Sequence, residues 1–440
     1  MSSPSLSTSD RTISARTLRE RFTSGLGAMY RSEVPRFAQL ERLVQASHSR
    51  SHTAPSAPIT HGAVRVGSPR ELGLLRRLFA VLGMHPVDYY DLSAAGLPVH
   101  STAFRPLSPN EIAAAPFRMF TSLLRPELLS DTKLREHVLG LLNSRDIVPG
   151  SLIALINKAE AEGGLMEPDA TRFIAESIGV FRWSGRVRTT QAQYRHLLEA
   201  HPLVADICCF PGPHINHLTL PSRNIDSVQS LMLREAMNPK DQIEGPPERR
   251  VPILLRQTSF RAVPEPIVFS TDQNDRHMVH TARFGEIEQR GYALSREGRA
   301  LYDRCLGAHK GGDHDAFDEL PDDLGELHRA ALLAGQYSFT IRPDTGPGLR
   351  SLYDLVDAGN VAFSPFTYED FLPVSAAGIF RSNLGTGGRF TAPAEDGKRA
   401  FIEALGGALH SSVEMNKTRQ AASLQALREQ LEDSGITLET

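Results

Sequence analysis

Cysteine is scarce: Cys208, Cys209 and Cys305 are the only three in 440 residues. Two are adjacent and none forms a CxxC pair, which excludes a disulfide framework and a zinc ribbon and fits a reducing cytoplasm. An excess of one charge is also missing. Forty-eight Lys and Arg against 51 Asp and Glu leave a net charge of -3, so no global field draws the chain to nucleic acid or to an anionic membrane. No window approaches the roughly 18 uninterrupted apolar residues of a membrane helix. The start, MSSPSLSTSDRTISARTLRERF, lacks the apolar core of a secretory signal. It is Ser- and Arg-rich like a transit peptide, but Asp10 and Glu20 favour a frayed terminus leading into a helix. A small-molecule partner is the expectation. What is present is ordinary globular composition, 40% hydrophobic with 34 Gly and 29 Pro, and enough length for two or three domains or one elaborated fold.

From Thr17 to Gln45, Leu18, Phe22, Leu26 and Tyr30, then Phe37, Leu40 and Val44, recur at helical spacing and predict two helices broken near Pro35. Ser47 to Thr60, SHSRSHTAPSAPIT, reads as a linker with His48 and His52 in solvated loop. HGAVRVG (61–67) alternates as a strand, and SPRELGLLRRLFAVLGM opens with a Ser cap and Pro at the first turn of a helix. PVDYYDLS and VHSTAFRP follow as strands, giving a βαββ module over residues 61–107. Periodic leucines in FRMFTSLLRPELL, KLREHVLGLLNSR and SLIALINKAEAEGG predict a helical insertion over 108–205. The first order then returns: strand-like DICCFPGPHINHLTL, helical IDSVQSLMLREAMN, and the strands VPILLRQTSFRAV, PIVFST and HTARFGEIEQRG make a βαβββ module over 206–300. Residues 1–60 supply the N-terminal helices and linker. Residues 301–440 supply strands and a last helical run, Ala400 through Leu431, that complete one catalytic unit. The fold class is α+β, two paired modules whose sheets face each other around a shared cavity.

Two His and one carboxylate on one side of a metal suit non-haem iron. His61 opens the first strand of the first module, His214 and His217 lie in the first strand of the second, and Glu286 and Glu288 lie in its last. Spacing separates neither the two His nor the two Glu. His61 and Arg65 share a strand face about 13 Å apart, within reach of long side chains. A ligand held by metal at one end and by the Arg65 guanidinium at the other is a small dicarboxylate. The bland alternatives are hydrogen-bonded strand histidines, small buried cysteines at Cys208 and Cys209, and ordinary roles for His100, His277 and His280.

The strings HGAVRVG, YYDLSAAGLPVHSTAFRP, FRMFTSLLRPELL, CFPGPHINHLT, EGPPERRVPILLRQTSF, TARFGEIEQRGYALS and TYEDFLPVSAAGIFRSNLG closely resemble the 2-oxoadipate dioxygenase/decarboxylases, also called 2-hydroxyglutarate synthases. The resemblance runs from about Leu18 to Leu409 and is weakest over 307–328. It implies a fold like the vicinal-oxygen-chelate enzymes, built around a central Fe(II) site. Matching strings put the metal ligands on His61, His217 and Glu288; Glu286 and His214, read from their positions beside these, are the candidates for supporting roles. They put substrate contacts on His61, Arg65 and Val374, the last through its backbone. The implied reaction joins O2 and 2-oxoadipate to give 2-hydroxyglutarate and CO2, as in lysine breakdown. The substrate supplies the electrons, so no flavin, nicotinamide or second 2-oxo acid is expected. Two other readings are a metal enzyme acting on another 2-oxo dicarboxylate and a non-catalytic binding protein.

Overall fold

The apolar series Leu18, Phe22, Leu26, Tyr30 builds α1 (Ala15–Glu33), whose first turn is capped by the Ser14 hydroxyl accepting the Thr17 N–H. Pro35 cannot continue a helix but can start one, so α2 (Pro35–His48) begins there. This helix runs on through Ser47 to His48, two residues expected in the linker. The computed structural model describes residues 12–48, 58–269, 278–340, 346–372 and 394–439, so His52 and His277 lie outside the described residues. The chain divides into two units, one drawn from residues 1–244, 257–289 and 373–410, the other from 245–256, 290–372 and 411–440.

In the first unit, β1 (His61–Val66) leads to α3 (Pro69–Val81), where the Ser68 hydroxyl accepts the Glu71 N–H as the sequence signature requires. β2 (His85–Asp91), β3 (Val99–Arg105), α4 (Pro109–Ala114) and β4 (Arg118–Leu124) follow. Strand β4 corrects the sequence reading, which took FRMFTSLLRPELL as helix and the first module as βαββ. All seven β4 residues are buried, and the strand lies inside the sheet between parallel β1 and antiparallel β3. A strand covered on both faces has no alternation to read, and its apolar run imitates a helical period. The first module is therefore βαβββ, and the helical insertion starts only after it.

The insertion comprises α5 (Thr132–Asn143), α6 (Gly150–Glu162), α7 (Glu167–Val180), a short β5 (Arg186–Val187), α8 (Gln191–Ala200) and α9 (Pro202–Cys208). DICC, expected to begin a strand, is the end of α9. There the His201 side chain caps the Leu203 N–H and Pro202 occupies the first turn. The strand proper is β6 (His217–Pro221), followed by α10 (Ile225–Arg234), β7 (Leu255–Ser259), β8 (Val263–Phe269) and β9 (Met278–Arg290). His214 consequently sits in the loop before β6, not in the strand.

One nine-stranded sheet results, in the order β2-β3-β4-β1-β6-β9-β8-β5, with β7 also pairing β9. β1 runs parallel to β4, β6 runs parallel to β9, and β1 and β6 meet antiparallel. The two modules thus repeat the parallel pairings β1–β4 and β6–β9 about a pseudo-twofold between β1 and β6, and differ in the second strand, β2 pairing β3 but β7 pairing β9. They join edge to edge in one sheet, where two facing sheets were expected. One face carries Val64, Val66, Met119, Leu218, Leu220 and Ile287 into a core shared with Phe22, Leu26, Phe37 and Leu40 of α1 and α2 and Leu75 and Phe79 of α3. At Gly62 a Cβ would lie 2.8 Å from a Leu218 methyl and at Gly285 2.6 Å from the Phe260 ring, so both positions are as narrow as glycine allows. Alternation leaves the other face to His61, Arg65, His217, Thr219, Glu286 and Glu288.

The second unit holds helices Arg296–Lys310, Leu324–Arg329, Leu352–Asp357 and Ser412–Asp433, an antiparallel pair Gly335–Phe339 with Val361–Pro365, and a parallel pair Gly348–Arg350 with Ile436–Leu438. Leu355, Val361, Leu427, Leu431 and Ile436 form a core of their own. The run expected as one helix from Ala400 to Leu431 is two: Ala394–Leu405, in the first unit, ends at Gly406, whose φ of +60° stops it, and Ser412–Asp433 begins anew behind a Ser411 cap.

Candidate metal centre

Sheet register builds the site. His61 of β1 stands opposite Thr219 of β6, and Thr219 opposite Glu286 of β9, so three polar side chains form one row across three strands. His217 lies two residues before Thr219 on the same face, and Glu288 two beyond Glu286. All are buried. His61 Nε2 is 2.9 Å from Glu286 Oε1, and His217 Nε2 is 3.9 Å from the same oxygen. Donors bound at right angles to one ion at about 2.1 Å stand about 3 Å apart, so these spacings suit a shared cation. Their donor atoms all lie within 4.8 Å of one another.

Glu286 Oε1 is fixed by the Thr219 hydroxyl at 2.9 Å and the Gln257 amide at 2.7 Å. Its Oε2 is buried without a hydrogen bond, a costly state for a polar atom unless something else satisfies it. The His217 ring stacks on Phe284 with centroids 4.7 Å apart. Burial pushes the His217 pKa down to about 3, against the pull of Glu286, so its imidazole is neutral and able to ligate. Burial opposes charge on His61 too, but Glu288 and Glu286 outweigh it and raise its pKa. Burial likewise opposes the Glu286 carboxylate, and the two imidazoles overcome it and hold its pKa low. Lys240, also buried, has its amine pulled down to about 8 chiefly by burial. The donor set of two imidazoles and a carboxylate fits a divalent transition metal.

Glu288, the expected ligand, is placed differently. Its Oε2 lies 3.0 Å from His61 Nδ1, on the side of the ring away from Nε2. The two imidazole nitrogens point in divergent directions, so a carboxylate on Nδ1 orients the ring and does not share an ion with Nε2. His214 is also absent from this group.

Arg65 lies on the same face of β1, four residues from His61, and its Nη1 forms an ion pair of 2.5 Å with Asp206 Oδ2. Asp206 comes from α9. Its Oδ1 accepts from His280 Nε2 at 2.8 Å and lies 3.2 Å from His214 Nε2, and Asn216 Nδ2 approaches Oδ2 at 3.5 Å. The Tyr194 hydroxyl meets His280 Nδ1 at 2.9 Å. Burial opposes the Asp206 charge, yet Arg65 and His214 hold its pKa well below the usual carboxylate range. Burial lowers the Arg65 pKa, from so high a starting point that the guanidinium stays charged.

The structure thus brings His61, His217, Glu286, Glu288 and Arg65 onto one face and leaves Val374 outside the described residues. His100 packs elsewhere, against Tyr89 and Phe401. Cys208, Cys209 and Cys305 are free and buried. Sequence reasoning missed Thr219, Gln257 and Asp206. Thr219 was signalled by its position two residues after His217, whereas Gln257 and Asp206 come from segments that only the tertiary fold brings in.

A glyoxalase-superfamily protein from Ralstonia eutropha matches at a TM-score of 0.52 and 20% identity over 65% of this chain and 86% of that one, a likeness of fold. The crystal structure of hydroxyglutarate synthase in complex with 2-oxoadipate from Pseudomonas putida superposes with a TM-score of 0.83 at 39% identity, covering 96% of this chain and 99% of that one. The 2-oxoadipate dioxygenase/decarboxylases of Pseudomonas putida and Escherichia coli are 41% and 42% identical, covering 95% and 90% of this chain and 98% and 94% of their own. With residues 22–383 also matching the profile of that family, the chain belongs to the 2-oxoadipate dioxygenase/decarboxylases.

Proposed function

We propose that the protein converts 2-oxoadipate and O2 into 2-hydroxyglutarate and CO2, with Fe(II) held by His61, His217 and Glu286. The observation that carries this reading is the buried row of His61 and Glu286 with His217 beside it, in a chain of this family. When bound, Fe(II) supplies the one-electron chemistry that lets O2 react with a 2-oxo acid. The chain's own residues do the rest. Thr219 and Gln257 fix Glu286, and Glu288 holds the His61 ring through Nδ1. The burial of the whole set keeps water from the reacting end of the substrate. Arg65 holds the distal carboxylate and so places the shortened chain for hydroxylation, an orienting effect worth several kcal/mol. His61 and the backbone of Val374 complete the substrate contacts. Oxygen atoms and electrons balance without a reductant, and lysine breakdown is the pathway that supplies such a substrate. A cytoplasmic location agrees with the three free, buried cysteines. Among the described residues no helix is long and apolar enough to cross a membrane.

The test is to load metal-free protein anaerobically with Fe(II), Mn(II) or Co(II), then add 2-oxoadipate and air and identify products by mass spectrometry. The expected result is 2-hydroxyglutarate with Fe(II) and little with the others. Product formation at equal rate without metal contradicts the proposal.

A further inference from the structure

Four polar side chains converge on one buried carboxylate. Asp206 is 3% exposed. Its Oδ2 takes Arg65 Nη1 at 2.5 Å with Asn216 Nδ2 at 3.5 Å, and its Oδ1 faces His280 Nε2 at 2.8 Å and His214 Nε2 at 3.2 Å. The hub is anchored further out. Tyr194 meets His280 Nδ1 at 2.9 Å, and Trp183 stacks on the same ring at a 13° interplanar angle. Asp206, His214 and His280 satisfy the spacing of a metal triad, but a guanidinium cation already occupies Oδ2. The His280 N–H directed at Oδ1, a phenol on the far nitrogen of that ring, and His214 Nε2 within reach of both Oδ1 and the Asn216 amide at 3.3 Å account for the remaining geometry without an ion.

We propose that Asp206 is the positioning residue of the substrate clamp: gripped by His214 and His280, it fixes the direction of the Arg65 guanidinium and so sets the preference for 2-oxo acids with a distal carboxylate. This rests on Arg65 binding that carboxylate. A guanidinium on a flexible stem binds an anion in many poses, whereas one bridged to a rigid carboxylate presents a defined edge. The ion pair also compensates the Arg65 charge before substrate arrives, so a buried cation is not left alone. Asparagine cannot take over this role. If its amide oxygen faces His280, its NH2 opposes Arg65, and the reverse orientation opposes the His280 N–H.

The experiment compares 2-oxoadipate with 2-oxohexanoate, which lacks the distal carboxylate, in the iron-loaded parent, Asp206→Asn, His280→Gln and Arg65→Ala. Rates, anaerobic dissociation constants and metal content are all measured. We expect Asp206→Asn to retain one metal per chain and to lose about 100-fold in kcat/KM for 2-oxoadipate, as an ångström of misplacement does. For 2-oxohexanoate the loss is a few-fold, and His280→Gln falls between parent and Asp206→Asn. Arg65→Ala separates the two layers of the argument. If it abolishes the preference and Asp206→Asn leaves it intact, the positioning role is overturned while the clamp stands. If Arg65→Ala leaves the preference intact, the clamp itself is wrong. Equal losses for both substrates in Asp206→Asn indicate a merely structural carboxylate and overturn the proposal. So do two metals per parent chain with one lost in His280→Gln.

Discussion

Replacing Glu286 and Glu288 one at a time separates a carboxylate that binds metal from one that orients its ligand. Glu286 Oε1 stands 2.9 Å from His61 Nε2 and 3.9 Å from His217 Nε2, and its second oxygen is buried without a hydrogen bond. Glu286→Ala removes one of three ligands and the anion among them, so iron should not survive desalting. Glu288 Oε2 lies 3.0 Å from the far nitrogen of His61. Loss of such an orienting partner weakens metal binding about 10- to 100-fold, or about 1.4–2.7 kcal/mol. Glu288→Ala should fall in that range, and Glu288→Gln near its lower end because the amide keeps a polar oxygen beside Nδ1. Anaerobic Fe(II) titration against a chelator gives the affinities, with iron per chain measured after gel filtration. A Glu288→Ala protein that loses iron completely beside a Glu286→Ala protein that keeps it would refute the assignment and return Glu288 to the ligand set.

Three other outcomes test the fold that carries the site. Gly285→Ala places a methyl 2.6 Å from Phe260 and 2.9 Å from Phe37, so it should lose about 1–3 kcal/mol in urea unfolding, and parental stability would contradict that packing. Ser68→Ala removes the α3 cap on the Glu71 N–H and should cost about 1 kcal/mol, read from the same unfolding curves. Burial holds His100 neutral to about pH 3, whereas in the unfolded chain it takes a proton near 6.5. Its contribution is therefore complete above pH 6.5 and lost as pH falls toward 3. His100→Phe should make stability fall less steeply from pH 6 to pH 4, by about 1.4 kcal/mol per pH unit. Identical slopes in parent and variant would show that the imidazole is not held neutral.

Much of the first unit was legible because local signals agreed with tertiary demands. The Ser68–Pro69 start of α3, the break at Pro35 and the alternation in β1 and β9 all sit where the sequence puts them. β4 was hidden because a strand buried on both faces loses its period, and the α9 start was hidden because His201 is an unusual cap. The histidines and the pair of glutamates were visible as residue types on predicted strands, and family strings singled out His61 and His217. What alternation cannot supply is the direction of an imidazole. Glu286 and Glu288 share a face, and only the register of β9 against β6 shows which meets Nε2 and which meets Nδ1. The Asp206 hub was invisible, since its members come from α9, a loop, β9 and α8, far apart in sequence.

Oxygen consumption by anaerobically Fe(II)-loaded protein on adding 2-oxoadipate, with CO2 and 2-hydroxyglutarate quantified in the same sample, tests the central claim most directly. The expected stoichiometry is one O2 to one CO2 to one 2-hydroxyglutarate with no reductant added. No oxygen uptake by protein shown to hold iron, or turnover that requires an external reductant, would contradict it.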